Sequence, residues 1–345
     1  MILMFKIESM PAKICLGFTS LMFLLYGISF MFFGDCYVMG GHGCFGILNN
    51  GVPSTADIAY GHGGPESAFN GALFFGLFIS TMLILNEGAR GKWIIMLPVI
   101  IGSTIMSICI WVYWNDASEA KELPKYVSIL VTVAYIAAYI LLREEGVNEG
   151  LSEFKPGLKV KDKVAMVSLI LLVFAGLFYS LRMIFTPDTV IAEGFPEASR
   201  SALDLNKGMG EPFPTTVSVS GSLILVYGLW SALVLLDGAS GKWAILHPSA
   251  FAFITVTISI FVGLIVGNAR NISDQNQLDA MTGAVVMLLV LISYFRLKGE
   301  GVEDGITFMG KPVEDDAMWT NSLLLFAFVM GALFAIKEII IPIIS

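Results

Sequence analysis

Charge is scarce in this chain. Of its 345 residues, 14% are Asp, Glu, Lys or Arg, whereas 56% are hydrophobic. Soluble domains carry about 25% charged residues. The shortage of charge, together with a mean hydropathy of +0.79, excludes an ordinary soluble domain and predicts an integral membrane protein in contact with a lipid bilayer. The net charge of −8 also argues against a nucleic-acid partner.

The sequence also lacks the motifs of common enzymes. It contains no Cys-x-x-Cys pair, haem-attachment motif, Ser–His–Asp set or glycine-rich dinucleotide fingerprint. The segment from Gly88 to Lys92 resembles a phosphate-binding loop, but only two residues separate its glycines and Trp93 follows the lysine. A true P-loop has four residues between the glycines and Ser or Thr after the lysine. These absences argue against nucleotide binding and leave any cofactor unknown.

Long apolar runs, by contrast, are abundant. A run of about 18 or more apolar residues is long enough to span a bilayer as a helix. We predict an all-α bundle with nine such spans, at residues 13–33, 68–85, 93–114, 125–142, 164–185, 216–236, 243–266, 280–297 and 321–341. We expect no Asp, Glu or His near the middle of any span, which argues against a proton pump or an ion-driven transporter.

The distribution of Lys and Arg predicts the orientation of these spans. Thirteen of the twenty Lys and Arg residues lie in segments on the N-terminal side of the membrane, and five lie in segments on the other side. The long loop at residues 34–67 contains none. Because cytoplasmic loops carry the excess of positive charge, we predict a cytoplasmic N-terminus and an outer C-terminus in a plasma or bacterial inner membrane.

Two segments of the sequence nearly recur. The run at residues 86–98 reads NEGARGKWIIMLP, and the run at residues 236–248 reads LDGASGKWAILHP, 150 residues later. The run LREEGVNEGL at residues 142–151 returns as LKGEGVEDGI at residues 297–306, now 155 residues later. The acidic residues in this second pair are interpreted as solvated helix ends. The recurrence predicts an internal duplication.

The duplication defines the predicted domains. The first four-helix module covers residues 1–151, the second covers residues 152–306, and an inner linker with a terminal transmembrane helix covers residues 307–345. Because each module has an even number of spans, the two are predicted to be tandem parallel repeats, related by an axis near the membrane normal. A four-helix module with a long first outer loop resembles, in outline, the small DoxX-like bacterial membrane proteins. The resemblance concerns architecture and implies no activity and no site residue.

Two pairs of residues at repeat-equivalent positions are candidate ligand-binding residues. Arg182 and Lys337 lie near the outer ends of their spans, where they can bind one anionic group or simply extend to the interface. Pro98 and Pro248 lie one to two turns into their helices, where each removes a backbone donor and bends the helix. A cavity between the modules is expected near these prolines if the protein carries a small molecule.

The glycine-rich first outer loop is the most unusual segment. It contains Cys36, Cys44, His42 and His62, which are two of the four cysteines and two of the three histidines. A Cys36–Cys44 disulfide would suit an oxidising compartment. A copper or zinc site formed by all four side chains is a second interpretation, and an ordinary loop with free thiols is a third. The outer loop of the second module has no His or Cys, so a duplicated metal site is excluded.

Three functional hypotheses follow. The first is a non-enzymatic structural or accessory subunit of a membrane assembly, with a membrane-protein partner or a second copy of the chain on its apolar faces. The second is a carrier or binder of a neutral or lipid-like small molecule between the two modules. The third is a membrane enzyme that uses the His/Cys loop as a metal site.

The predicted topology has a direct test. Reporter tags inserted in the turns at Lys92 and Lys242 should both report the cytoplasmic side, because both turns connect the second and third spans of parallel modules. A tag after the last span should report the outer side. Tags at the two lysine turns that report opposite sides would contradict the parallel arrangement.

Overall fold

The computed structural model describes residues 5–33, 65–114, 123–194, 214–267, 274–308, 311–312 and 316–336. Within these ranges the chain is helical apart from turns and one two-residue strand pair. The α-helices, in chain order, are α1 (Met10–Ile28), α2 (Pro65–Glu87), α3 (Trp93–Tyr113), α4 (Leu123–Leu141), α5 (Lys163–Phe185), α6 (Pro187–Gly194), α7 (Pro214–Asp237), α8 (Trp243–Gly267), α9 (Asp274–Leu297) and α10 (Asp316–Ala335). The strands β1 (Thr307–Phe308) and β2 (Lys311–Pro312) pair antiparallel before α10.

Eight of the described helices are long and apolar enough to cross a membrane: α1 to α5 and α7 to α9. These properties are those of a helical membrane protein, as predicted from the apolar runs. The apolar part of α10, Thr320–Ala335, is shorter, so the count of nine spans stays a prediction. The predicted boundaries agree with the helices to within a few residues, whereas the short helix α6 was not predicted.

The two glycine turns, which precede α3 and α8, have the same backbone geometry. Gly88 and Gly238 both have φ of 91°, and Gly91 and Gly241 have φ of 68° and 69°. Glycine is favoured here because a Cβ atom would clash at positive φ. These turns are the segments in which the sequence motif recurs.

Backbone hydrogen bonds tie each turn to the segment that follows α4 or α9. Gly91 N donates to Gly146 O at 2.9 Å, and Trp93 N donates to Val147 O at 3.0 Å. In the second half of the chain, Gly241 N donates to Gly301 O and Trp243 N donates to Val302 O, each at 2.9 Å. Residues of both turns line one cleft, so both turns lie at one end of the bundle, which we call the turn end.

Two acidic residues bind the chain just before α1 and α5. The Glu145 carboxylate accepts hydrogen bonds from Glu8 N at 3.0 Å and Ser9 N at 2.7 Å. The Glu300 carboxylate accepts from Lys161 N at 3.0 Å and Asp162 N at 2.5 Å. These contacts correct the interpretation of the acidic segments as merely solvated, because both carboxylates satisfy N–H groups at a helix start.

The two halves of the chain meet mainly through two helix pairs. Helix α2 packs on α8, and α3 packs on α7. In the first pair, a Cβ added at Gly76 would lie 3.0 Å from the Ala252 Cβ; in the second, one added at Gly102 would lie 2.2 Å from a Val226 methyl. Small residues therefore allow close approach at both contacts, as is common between membrane helices.

A glycine also sets the crossing of α1 and α2. A Cβ added at Gly71 would lie 2.6 Å from the Gly27 carbonyl oxygen and 2.6 Å from the Met31 backbone nitrogen. The corresponding crossing of α5 and α7 uses Gly221, where an added Cβ would lie 2.9 Å from the Ser180 carbonyl oxygen. These backbone neighbours are held by their own helices and have little freedom to move aside.

The close crossing of α1 and α2 predicts that a methyl group added at Gly71 destabilises the fold, whereas one added at Gly17 does not. Gly71→Ala should destabilise the protein by about 1–3 kcal/mol, because overpacking forces the two backbones apart. Thermal unfolding of the purified protein in detergent measures the change. Gly17→Ala is the matched control on α1, since an added Cβ there has nothing within 4 Å. Equal stability of both variants would contradict the close crossing.

Candidate functional site

An apolar cavity opens at the end of the bundle opposite the turns. We call it the Asn70 cavity. Its cavity volume is about 60 Å³, within a wider space of about 670 Å³ that includes open solvent at the mouth. Five helices surround it: α1, α2, α3, α4 and the start of α7. The lining residues are Met22, Phe23, Tyr26, Phe30, Asn70, Phe74, Met106, Ile110, Trp114, Pro124, Val127, Ser128, Val131, Thr215, Thr216 and Val219.

The walls of the Asn70 cavity are aromatic on one side and aliphatic on the other. Phe74 of α2 packs against Phe23 and Tyr26 of α1, with centroids 6.1 Å and 5.8 Å away, and against Phe30 of the π-helical turn that follows α1 (Ser29–Phe33), whose ring is stacked with its centroid 6.0 Å away. The opposite wall carries aliphatic side chains of α3 and α4, such as Val131. Such a surface favours an apolar ligand.

The polar groups at the cavity wall mostly bind other protein groups. Asn70 is fully buried. Its Oδ1 accepts from the Ser220 hydroxyl at 2.7 Å, and its Nδ2 donates to Thr216 O at 3.4 Å. The Ser128 hydroxyl donates to Lys125 O at 2.8 Å. The hydrogen-bonding capacity of these side chains is therefore largely used within the protein.

Trp114 is the exception. Its indole Nε1 is buried and has no acceptor among the described residues. Trp114 lies at the end of α3, where it lines the Asn70 cavity near the mouth. The Lys125 ammonium is 5.0 Å from the centroid of the indole. Because a buried donor without a partner is costly, this N–H group is suited to an acceptor oxygen on a bound molecule.

A second opening, the turn-end cleft, lies between the two glycine turns. It holds about 940 Å³ of space, including its open side. Its lining residues are Arg90, Gly91, Lys92, Trp93, Ile94, Glu149, Gly150, Glu153, Lys159, Asp237, Gly241, Lys242 and Ala244. The cleft is thus polar and rich in charge, unlike the Asn70 cavity.

The predicted anion pair is described only in part. An Arg182 guanidinium nitrogen lies 2.5 Å from a Glu193 carboxylate oxygen, and the guanidinium is 5.7 Å from the centre of the Phe178 ring. Lys337 lies outside the described residues. Arg182 therefore has a carboxylate partner on α6, and a shared anion site with Lys337 stays a prediction.

Both predicted prolines lie inside helices, and Pro248 is at the contact between the two halves. Pro98 is buried in α3, and the Pro248 carbonyl oxygen would be 3.0 Å from a Cβ added at Gly76. Neither proline lines the Asn70 cavity or the turn-end cleft. A ligand-binding role for these two residues stays a prediction.

The proposed metal ligands and the proposed disulfide lie outside the described residues. This applies to Cys36, His42, Cys44 and His62 alike. Within the described ranges, no group of three or more His, Cys, Asp or Glu side chains is arranged to hold a metal ion.

The sequence analysis did not select His247, the one histidine among the described residues, which lies in α8. It lies one turn into α8 and is 2% exposed. Its ring centroid is 5.7 Å from that of Trp243 and 4.9 Å from that of Tyr294. The Tyr294 hydroxyl donates to Glu303, and Lys298 Nζ is 3.0 Å from the same carboxylate oxygen.

The corresponding position in the first half is Leu97, and there the Tyr139 hydroxyl donates to the amide oxygen of Asn148. The titratable cluster around His247 thus belongs to the second half alone. The sequence does contain a signal for this cluster, because the recurring motif has Leu97 in its first copy and His247 in its second.

No protein-family model, curated protein or solved structure matches this chain. The geometry of the two openings is therefore the basis for functional inference.

The hydrogen bond at the cavity wall predicts an energetic link between the two halves. A double-mutant cycle of Asn70→Ala and Ser220→Ala should give a coupling of about 0.5–1.5 kcal/mol, as for other side-chain pairs between membrane helices. Unfolding in mixed micelles measures it. The cycle of Asn70→Ala with Ser80→Ala is the control, because the Ser80 hydroxyl donates to Leu77 O of its own helix. Equal coupling in both cycles would contradict the contact.

Proposed function

We propose that this protein is a non-enzymatic membrane protein that binds a neutral, lipid-like molecule in the Asn70 cavity. The ligand has an apolar body and an oxygen acceptor at its polar end. The observation that carries the proposal is an apolar cavity with one buried donor, the Trp114 indole N–H, that has no acceptor among the described residues.

The chemistry of the lining supports a neutral ligand. The aromatic wall around Phe74 and the aliphatic wall around Val131 favour hydrocarbon, because apolar area removed from water contributes about 25 cal/mol per Å². An unpaired charge would be costly to bury there. The Trp114 donor supplies orientation, since it favours ligands whose oxygen reaches the mouth.

Photolabelling tests the proposal. The probe is hexadecanol carrying a diazirine on its chain, irradiated with the purified full-length protein. The expected product is labelled peptide containing Met106, Ile110 or Trp114. Val131→Phe should reduce this labelling by about fivefold or more, because the larger side chain occupies the cavity. Trp114→Phe should reduce it by about twofold to tenfold, the worth of one hydrogen bond.

Val133→Phe is the matched control on the same helix, because Val133 is 55% exposed whereas Val131 is 3% exposed. It should leave labelling unchanged. Thermal unfolding of each variant verifies that the fold is retained. Equal labelling of the wild type, Val131→Phe and Val133→Phe would refute binding in the cavity.

We further propose that the two halves are tandem parallel repeats with the turn end in the cytoplasm. The matched turn geometry and the matched bonds from Glu145 and Glu300 support this relation. So does the contact between Asn70 and Ser220, which are 150 residues apart, the offset of the glycine turns. A residue meets its own equivalent only near a twofold axis. The Lys and Arg asymmetry supports the orientation.

The other two hypotheses stay predictions. The accessory-subunit hypothesis requires a partner on the apolar lateral faces, and exposed apolar side chains are what any bundle presents to lipid. The metal-enzyme hypothesis depends on a loop outside the described residues.

A further inference from the structure

The two lysines of the glycine turns have different surroundings. Lys242 Nζ is 2.8 Å from an Asp237 carboxylate oxygen, and Lys159 Nζ is 3.3 Å from the other oxygen of the same group. The Asp237 carboxylate therefore contacts two ammonium groups. The remaining close pair in the turn-end cleft is Arg90 with Glu149, at 2.5 Å and largely exposed.

Lys92 has no carboxylate within 4.0 Å among the described residues. The residue equivalent to Asp237 is Glu87, and its carboxylate instead accepts a hydrogen bond from the Thr307 hydroxyl. Lys92 Nζ lies 5.8 Å from the ring centre of Trp243, the first residue of α8. The ammonium group of Lys92 thus faces the opposite turn across the cleft.

Burial lowers the pKa of Lys92; the Glu87 charge raises it and the Lys6 charge lowers it. The desolvated ammonium group is therefore less favourable than it would be in water. An anion beside it would offset that cost.

The charges of the lining leave a positive excess at the floor of the cleft. Of the three lysines there, Lys159 and Lys242 contact the Asp237 carboxylate, and Lys92 has no carboxylate within 4.0 Å among the described residues. Glu153, which is exposed, is the acidic residue of the lining that has no Lys or Arg nitrogen within 4.0 Å among the described residues. Trp93 and Trp243 begin their helices at this level, and tryptophan is typical of the headgroup region of a bilayer.

We propose that the turn-end cleft binds a phosphate group, with the Lys92 ammonium as its main partner and Lys242 as its second. The phosphate belongs either to a lipid headgroup or to a soluble phosphate compound. This site is separate from the Asn70 cavity and does not depend on the function proposed for that cavity.

A bound phosphate group, from either source, would account for the different surroundings of Lys92 and Lys242. A phosphate carries oxygen acceptors and at least one negative charge, so it can bind two ammonium groups that come from different turns. It would neutralise Lys92, the lysine of the cleft that has no carboxylate within 4.0 Å among the described residues. It would also give Lys242 a second anionic partner beside the Asp237 carboxylate, which Lys242 shares with Lys159.

Two binding measurements on the full-length protein distinguish the sources. In the first, the protein is placed in nanodiscs of digalactosyldiacylglycerol, a lipid without phosphate, with one-fifth phosphatidylglycerol, and retained lipid is quantified by native mass spectrometry. In the second, nanodiscs of digalactosyldiacylglycerol alone are dialysed against radiolabelled inorganic phosphate. Selective retention of phosphatidylglycerol identifies the lipid source, and binding in the second measurement identifies the soluble source.

Charge-altered variants assign the contact to the cleft. Lys92→Met should weaken the observed binding by about tenfold, as expected for loss of a charge-assisted hydrogen bond, and Lys92→Arg should largely restore it. Lys163→Met is the matched control, because Lys163 is an exposed lysine at the same end of the bundle.

Thermal unfolding of each variant shows whether the fold is retained, and Lys92→Arg keeps the test valid if Lys92→Met is unstable. Absence of binding in both measurements, or equal binding by Lys92→Met and Lys163→Met, would overturn the proposal.

Discussion

The backbone bonds between each glycine turn and the segment after α4 or α9 are the constraint on which the rest of the bundle depends. Peptide groups at a helix end must find partners outside the helix. Gly91 N and Trp93 N meet this requirement by donating to the carbonyl groups of Gly146 and Val147. The same bonds hold the start of α3 beside the segment that follows α4.

Much of the helical layout follows from the sequence because apolar length and glycine position are local properties. The turn glycines, for example, could be identified from the recurring motif alone. The role of Glu145 could not, because it binds backbone groups 136 and 137 residues away. Nor could the bond between Asn70 and Ser220, which requires α2 and α7 to meet. Periodicity shows which face is apolar but does not show which distant helix covers it.

The candidate sites were harder to predict than the fold for a related reason. The residues selected from the sequence were those that recur or that stand out chemically, such as Pro98 with Pro248. The structural candidates instead lie at positions where the two halves of the chain differ. Lys242 contacts the Asp237 carboxylate, whereas Lys92 has no carboxylate within 4.0 Å among the described residues. In the recurring sequence, His247 stands where the first half has Leu97. Comparison of one half with the other reveals such differences only when the surroundings of each residue are known.

The packed layer between the two openings has a consequence for movement of a solute. The Tyr227 hydroxyl donates to Leu73 O at 2.6 Å, and Trp230 Nε1 donates to Ile95 O at 3.2 Å, both across the contact between the halves. Among the described residues, these two bonds lie between the Asn70 cavity and the turn-end cleft. A solute moving along the bundle axis from one opening to the other would therefore require both bonds to break and the helices that carry them to separate.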